Sequence, residues 1–153
     1  MKSLVILATL VGLVLAQDDT CSEKFVQLGK SAYFLERNKF NWWDSSRRCM
    51  ALGSQLAHID SEEELNAVST YLNQLGFSAE EGVWFSGFGI KSGAWISIAN
   101  SRILSYFKWG PSEPNDYASS ENCLGLKVNS GNWSMYDLSC FKENAYLCEN
   151  VSQ

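Results

Sequence analysis

A polar stretch late in the chain carries side chains suited to binding a cation. Residues 113–122 read EPNDYASSEN and hold three acids, two amides and one of the chain's two prolines. Hard cations such as Ca²⁺ take about six to eight oxygen ligands, which carboxylates and amides supply. Glu113 and Asn115 each offer an oxygen, and Pro114 restricts the backbone between them. The composition alone leaves a second interpretation open, in which this stretch is a solvated surface loop.

Outside this stretch, the chain has few side chains suited to catalysis. The only histidine is His58, whose segment favours a strand position with a local partner, and no two cysteines have the C-x-x-C spacing of a zinc site. Glu113 and Glu121 are a conceivable acid pair for glycoside hydrolysis, but cation binding explains the same two acids. The sequence therefore predicts a binding protein and not an enzyme.

The charge and hydropathy of the chain limit the binding partners that we expect and indicate where the protein is located. The formal net charge is −5 and no basic run is longer than Arg47-Arg48, which argues against nucleic acid as a partner. Residues 1–16 combine Lys2 with an apolar run and small residues before Gln17, as in a secretory signal peptide. No later segment is apolar enough for membrane insertion. We therefore expect a secreted, extracellular protein, with a short segment at 17–20 before the domain.

The elements that must position the polar stretch can be predicted in part. Asn41 and the S-x-x-E box from Ser61 to Glu64 predict the starts of two helices, which Gly53 and Gly76 end. Apolar residues at helical spacing follow Ser61, as expected of a helix packed on a core. The predicted strands are 25–28, 31–35, 83–87, 123–128, 133–137 and 145–148. Residues 88–120 show no helical period, and their large aromatic residues predict a long but ordered loop.

In this order, the segments resemble the C-type lectin-like domain, in the secreted single-domain form typical of insects. The resemblance covers residues 21–149 and leaves 150–153 as a C-terminal tail. It implies an α+β fold in which two helices flank small antiparallel sheets, with a long ordered loop and disulfide staples. The matching segments are Asn41-Trp42, Cys49, 56–64, 84–87, Trp109, 113–115, 137–140 and 147–149.

The resemblance also implies which cysteines pair. The expected bridges are Cys49–Cys148 and Cys123–Cys140. Cys21 is left over, because the second cysteine of the family's additional N-terminal bridge is missing. It is therefore expected either to be free or to link two chains into a homo-oligomer.

The family's binding site maps onto four residues of this chain. Glu113, Asn115, Glu121 and Asp137 match the residues that ligate Ca²⁺ in the family and also bind the sugar, with the Glu113–Pro114 peptide cis. In the family, Glu-Pro-Asn accompanies mannose-type sugars, whereas Gln-Pro-Asp accompanies galactose. The implied function is a calcium-dependent lectin for terminal sugars of glycans or glycoproteins. Trp133 or Tyr117 could also pack against a sugar face, although Trp133 could equally be buried.

The chain departs from the family at Tyr136, which stands where the family has an asparagine that ligates the metal and the sugar. A neutral phenol is a poor calcium ligand, so this change is expected to weaken calcium binding. An alternative register that aligns Trp133 with the family's tryptophan does not restore the asparagine. The auxiliary calcium site also lacks its acids in residues 89–93. Two alternatives thus stay open: a lectin-like domain with a protein partner, and a galactose-type lectin.

Two glycosylation sequons complete the sequence-based expectations. Asn132 and Asn150 both begin an N-x-S motif, which predicts a glycoprotein. A glycan on Asn132 is expected on the strand that leads to Asp137, where it could crowd the site.

Overall fold

Two helices pack on one mixed sheet in the computed structural model, which describes residues 25–90 and 93–150. The predicted signal peptide, the 17–20 segment and Cys21 lie outside these residues. Within them, no helix has the length and apolarity needed to cross a bilayer. The helices are α1 (Trp42–Ala51) and α2 (Glu62–Gln74). The strands are β1 (Val26–Leu28), β2 (Ser31–Phe40), β3 (Gln55–Leu56), β4 (Gly82–Gly89), β5 (Trp95–Ile96), β6 (Glu121–Asn129), β7 (Asn132–Ser139) and β8 (Asn144–Asn150).

Both predicted helix starts are confirmed by their capping bonds. The Asn41 side chain accepts a hydrogen bond from the backbone N–H of Asp44, and the Ser61 hydroxyl accepts one from the N–H of Glu64. These bonds satisfy donors that have no partner inside the helix. Gly53 and Gly76 follow the helix ends at φ values of 67° and 69°, where a residue with a side chain would be strained.

The sheet differs in one respect from the expected small antiparallel sheets. Its strand order is β1-β2-β8-β4-β6-β7, with β3 added to β8 and β5 added to β4. Every pair is antiparallel except β4 with β8, and this parallel pair joins the two groups of strands into one sheet. The predicted α+β class is confirmed, while the predicted loop of residues 88–120 contains the short strand β5. Asn150 is the last residue of β8.

Two disulfides fix the frame that carries the polar stretch. Cys49–Cys148 ties α1 to β8, and Cys123–Cys140 ties β6 to the turn after β7. Both pairings agree with the expectation. The indole N–H of the buried Trp84 donates to the carbonyl of Phe40. The ends of β6 and β7 are therefore held by a covalent link and a packed core.

Candidate functional site

The carboxylate of Asp137 anchors the long loop to β7. One of its oxygens accepts the backbone N–H of Asn115 at 3.0 Å, and the other accepts that of Asp116 at 2.8 Å. Only 2% of Asp137 is exposed. A buried carboxylate is tolerated when it is hydrogen-bonded in this way. The Asp137 side chain therefore sets the position of the Glu-Pro-Asn segment.

Glu113 lies beside this anchor. The Glu113–Pro114 peptide is cis, as the resemblance implied. Oε2 of Glu113 accepts a hydrogen bond from the side-chain amide of Asn115 at 2.9 Å, and its carboxyl lies within hydrogen-bonding reach of the Asp137 carboxyl. Burial, followed by the effect of Asp137, raises the pKa of Glu113 to about 7. Two carboxyl groups from distant segments thus crowd together, and a cation would relieve their repulsion.

Glu121 is a neighbour of this pair. Its Oε2 accepts the backbone N–H of Tyr117 at 3.0 Å, and its own N–H donates to Asp116 at 3.2 Å. Its negative charge contributes to the raised pKa of Glu113. Among residues 25–90 and 93–150, no three acidic, histidine or cysteine side chains converge closely enough to enclose a metal ion. One carboxylate oxygen of Glu121 is thus engaged by the loop backbone.

The loop backbone adopts left-handed conformations that the sequence does not predict. Ser112, Asp116, Ala118 and Ser119 have φ values of 64°, 42°, 55° and 53°. Such conformations are uncommon for residues other than glycine and persist only where the surroundings enforce them. The hydrogen bonds from the loop to Asp137 and Glu121 supply that enforcement. Backbone strain of this kind is typical of ligand-binding loops.

Tyr136 takes up space that an amide side chain would leave open. Its ring lies so close to the Cα of Gly110 that a Cβ at residue 110 would collide with it. The carbonyl of Gly110 accepts the N–H of Glu113 at 3.2 Å, so the ring stands next to the turn that carries Glu113. The ammonium of Lys127 lies 5.0 Å from the centre of the same ring. The Tyr136 ring therefore packs against the turn that carries Glu113, with the Lys127 ammonium near its face.

Comparison with known proteins identifies this architecture. A family model described as "Lectin C-type domain" matches residues 38–150. This chain belongs to the C-type lectin domain family. The family consists of binding proteins and not enzymes, as the sequence predicted.

Relatives of this C-type lectin domain include insect and mammalian proteins. C-type lectin 37Da of Drosophila melanogaster is 26% identical over 137 residues, which span 84% of this chain and 73% of that protein. The cow CD23 carbohydrate-recognition domain, solved in the presence of GlcNAc2Man3 oligosaccharide, is 26% identical with a TM-score of 0.71; the match covers 88% and 98% of the two chains. A calcium-independent type II antifreeze protein has the same fold at 24% identity and a TM-score of 0.70, covering 85% and 93%.

C-type lectin domains generally bind Ca²⁺, but some do not, so this chain's own donors must be tested against the ion. The donors are oxygens, which suit a hard cation. The Asn115 amide donates through its nitrogen, which leaves its oxygen available, and each carboxylate keeps unused lone pairs. The crowding of Glu113 and Asp137 also favours positive charge between them. By donor chemistry, the residues of this C-type lectin domain fit calcium, although Tyr136 adds no ligand.

The structure assigns different places to the two aromatic residues considered for sugar contact. Trp133 is 1% exposed and donates its indole N–H to the side chain of Asn73, so it is a core residue. Tyr117 is 75% exposed at the edge of the loop.

His58, expected in a strand, lies in the irregular segment between β3 and α2, with Nε2 4.0 Å from an oxygen of Asp60.

Sequence reasoning missed Lys127. This lysine lies within the apolar strand β6, and burial, followed by the neighbouring ammonium of Lys142, lowers its pKa. The sequence carried a signal, because lysine is rarely buried and Lys127 lies inside the apolar run 123–128. The contact of Lys127 with the Tyr136 ring could not be predicted, because it depends on the register of β6 against β7.

Proposed function

We propose that this chain is a secreted, calcium-dependent lectin for mannose-type terminal sugars. Glu113, Asn115, Glu121 and Asp137 would hold the ion and contact the sugar. The observation that carries the proposal is the meeting of the Glu113 and Asp137 carboxyl groups, with the Asn115 amide bonded to the first. Like charges crowded in this way favour a divalent cation.

The chemistry at such a site would divide between the ion and the side chains. Bound calcium would supply positive charge and free coordination positions for two neighbouring sugar hydroxyls. The carboxylates of Glu113 and Glu121 would accept hydrogen bonds from those hydroxyls, and the Asn115 amide would donate one. Asp137 would mainly position the loop through its bonds to the N–H groups of Asn115 and Asp116.

Retention on mannose resin tests this proposal. The wild-type protein should be retained in calcium and eluted by a chelator. Glu113→Gln should abolish retention, because it removes one charge from the ion and one acceptor from the sugar. Glu80→Gln is the matched control, since Glu80 is an exposed residue after α2. Retention that a chelator leaves unchanged would refute calcium-dependent binding.

The order of acid and amide offers a test of sugar specificity. The double substitution Glu113→Gln/Asn115→Asp keeps one acid and one amide but exchanges their positions, and with them donor and acceptor. Binding should shift from mannose resin towards galactose resin while staying chelator-sensitive. An unchanged mannose preference would show that these two side chains do not select the sugar.

A second candidate function is recognition of a protein without calcium. The packing of Tyr136 on Gly110 favours it, because that ring replaces a metal ligand. The loop is also tied to Asp137 by direct hydrogen bonds. A melting temperature that does not respond to calcium would support this candidate over the lectin.

Two further expectations belong to this proposal. Weak single sites would gain avidity from multivalent display, for which linkage of two chains through Cys21 remains a prediction.

Glycosylation of Asn132 also remains a prediction. Asn132 is exposed at the start of β7, five residues before Asp137, so it stands about 17 Å away along the strand. A glycan attached there would therefore start well away from the Glu113–Asp137 pair.

A further inference from the structure

The segment that leads into the site loop is attached to β7 by backbone hydrogen bonds. The carbonyl of Lys108 accepts the N–H of Met135 at 2.7 Å, and the N–H of Gly110 donates to the carbonyl of Met135 at 2.9 Å. These bonds pair Trp109 with Met135 in a parallel bridge, and Gly110 is buried. The chain therefore leaves the sheet at a fixed point, directly before the turn of residues 110–113.

Tyr136, the next residue of β7, packs on this turn. Three atoms of its side chain, Cζ, Cε2 and the hydroxyl oxygen, occupy the place where a Cβ of residue 110 would lie. Because glycine has no Cβ, the ring can lie directly against the backbone of Gly110. The carbonyl of Gly110 accepts the N–H of Glu113 at 3.2 Å and closes the turn. The ring therefore supports the peptide group that fixes the start of Glu113.

The carboxylate of Asp137 holds the far side of the same loop, through the N–H groups of Asn115 and Asp116 at 3.0 and 2.8 Å. Met135, Tyr136 and Asp137 are consecutive in β7, and each is paired with a residue of β6. They therefore hold the loop at three successive points. Each of these contacts joins two groups of the protein itself, so none of them requires a bound ion.

We propose that Tyr136 is a positioning residue, whose ring holds the turn of Glu113 in its binding shape before an ion arrives. This inference rests on the proposed lectin function, since Glu113 would bind the ion and the sugar. A turn that is already ordered lowers the cost of binding, because less conformational freedom is lost. The ring would thus offset part of the effect of the missing amide ligand at position 136.

Hydrogen exchange in the presence of a chelator tests this role. In Tyr136→Ala, the amide of Glu113 should exchange about tenfold faster than in the wild-type protein, because the turn loses its support. The amides of β4 should change only with global stability. Tyr136→Phe keeps the ring and should exchange like the wild-type protein. Equal exchange of Glu113 in wild type and Tyr136→Ala, or equal acceleration in Tyr136→Ala and Tyr136→Phe, would overturn the proposal.

Tyr71→Ala is the matched control for the loss of an aromatic ring. Tyr71 lies in α2 and packs against the core, so its removal costs global stability without touching the loop. The amides of Glu113 and of β4 should therefore respond alike in Tyr71→Ala. In Tyr136→Ala, the amide of Glu113 should respond more than those of β4.

Gly110→Ala tests the same contact from the other side and serves if Tyr136→Ala does not fold. The φ of Gly110 is not in the left-handed region, so the backbone accepts alanine, but the new methyl group would collide with the ring. Exchange at Glu113 should accelerate for this reason. In Gly110→Ala/Tyr136→Ala the collision is gone, and exchange should be no faster than in Tyr136→Ala alone. Additive effects of the two substitutions would show that the residues act independently, which would contradict the proposal.

Calcium titration separates this inference from the function on which it rests. Tyr136→Phe should bind calcium as tightly as the wild-type protein, because the hydroxyl is not a ligand. Weaker calcium binding in Tyr136→Phe with unchanged exchange would make Tyr136 a ligand and overturn the positioning role. Wild-type protein that takes up no calcium, with exchange of Glu113 that still depends on the ring, would refute the calcium-dependent lectin and leave the positioning role standing.

Discussion

The core and the site loop of this molecule are held together by different interactions. The core joins α1, α2 and the sheet through buried side chains such as Trp84, Leu65 and Leu124, all 0% exposed. The loop of residues 110–120 is largely exposed and depends on carboxylates that accept backbone N–H groups, chiefly Asp137. The difference indicates that the scaffold can stay folded while the loop changes its order and its ligand.

Removal of the disulfides should test the scaffold side of this comparison with the largest effect. Cys49→Ala/Cys148→Ala opens a loop of 99 residues, and Cys123→Ala/Cys140→Ala opens one of 17. On chain entropy, the free energy of unfolding should fall by about 4.7 kcal/mol and about 3 kcal/mol, respectively. Urea unfolding measures both losses. A larger loss from the shorter loop would contradict the argument from chain entropy.

Removal of the Asp137 carboxylate should affect the loop more than the core. Asp137→Ala removes two charge-assisted hydrogen bonds, and the free energy of unfolding should fall by about 3 kcal/mol. Hydrogen exchange at the amides of Asn115 and Asp116 should accelerate strongly, while that of β4 should change only with global stability. Asp60→Ala is the control, since Asp60 is exposed. Unchanged exchange at these two amides would show that Asp137 does not order the loop.

The raised pKa of Glu113 predicts a smaller, pH-dependent effect. Because the folded protein holds this proton more tightly than the unfolded chain, the calcium-free domain should lose stability as the pH rises from about 4.5 to about 7. Solvent screening limits the loss to about 1 to 2 kcal/mol. Glu113→Gln should reduce this slope, as measured by urea unfolding at several pH values. An identical slope in Glu113→Gln would assign it to other groups.

Much of the scaffold could be predicted from the sequence because its signals are local. The Asn41 and Ser61 caps, the glycines after each helix and the apolar residues of the strands each act over a few residues. The cysteine pairing and the cis peptide at Pro114 came from the family resemblance, since spacing alone cannot choose among pairings. The parallel pairing of β4 with β8 was missed, because it depends on contacts far apart in sequence.

The resemblance predicted that oxygens of the four site residues meet around one ion, but it did not define the contacts of each side chain. The motif named Glu113, Asn115, Glu121 and Asp137, but it could not show that Glu121 faces the backbone of Tyr117. Nor could it show that Tyr136 fills the space above Gly110. Both details depend on side-chain packing in a loop with several left-handed residues, for which the sequence carries no periodic signal.

Calorimetric titration with calcium at pH 7.5 tests the central claim most directly, because that claim concerns ion binding by the loop and β7 together. The wild-type domain should bind calcium at one site with a dissociation constant of about 10⁻⁴–10⁻³ M, as in extracellular calcium modules. Glu113→Gln should weaken binding at least about tenfold, the equivalent of 1.4 kcal/mol, and Glu80→Gln should leave it unchanged. Wild-type protein that takes up no calcium, or equal affinity in Glu113→Gln, would contradict the account.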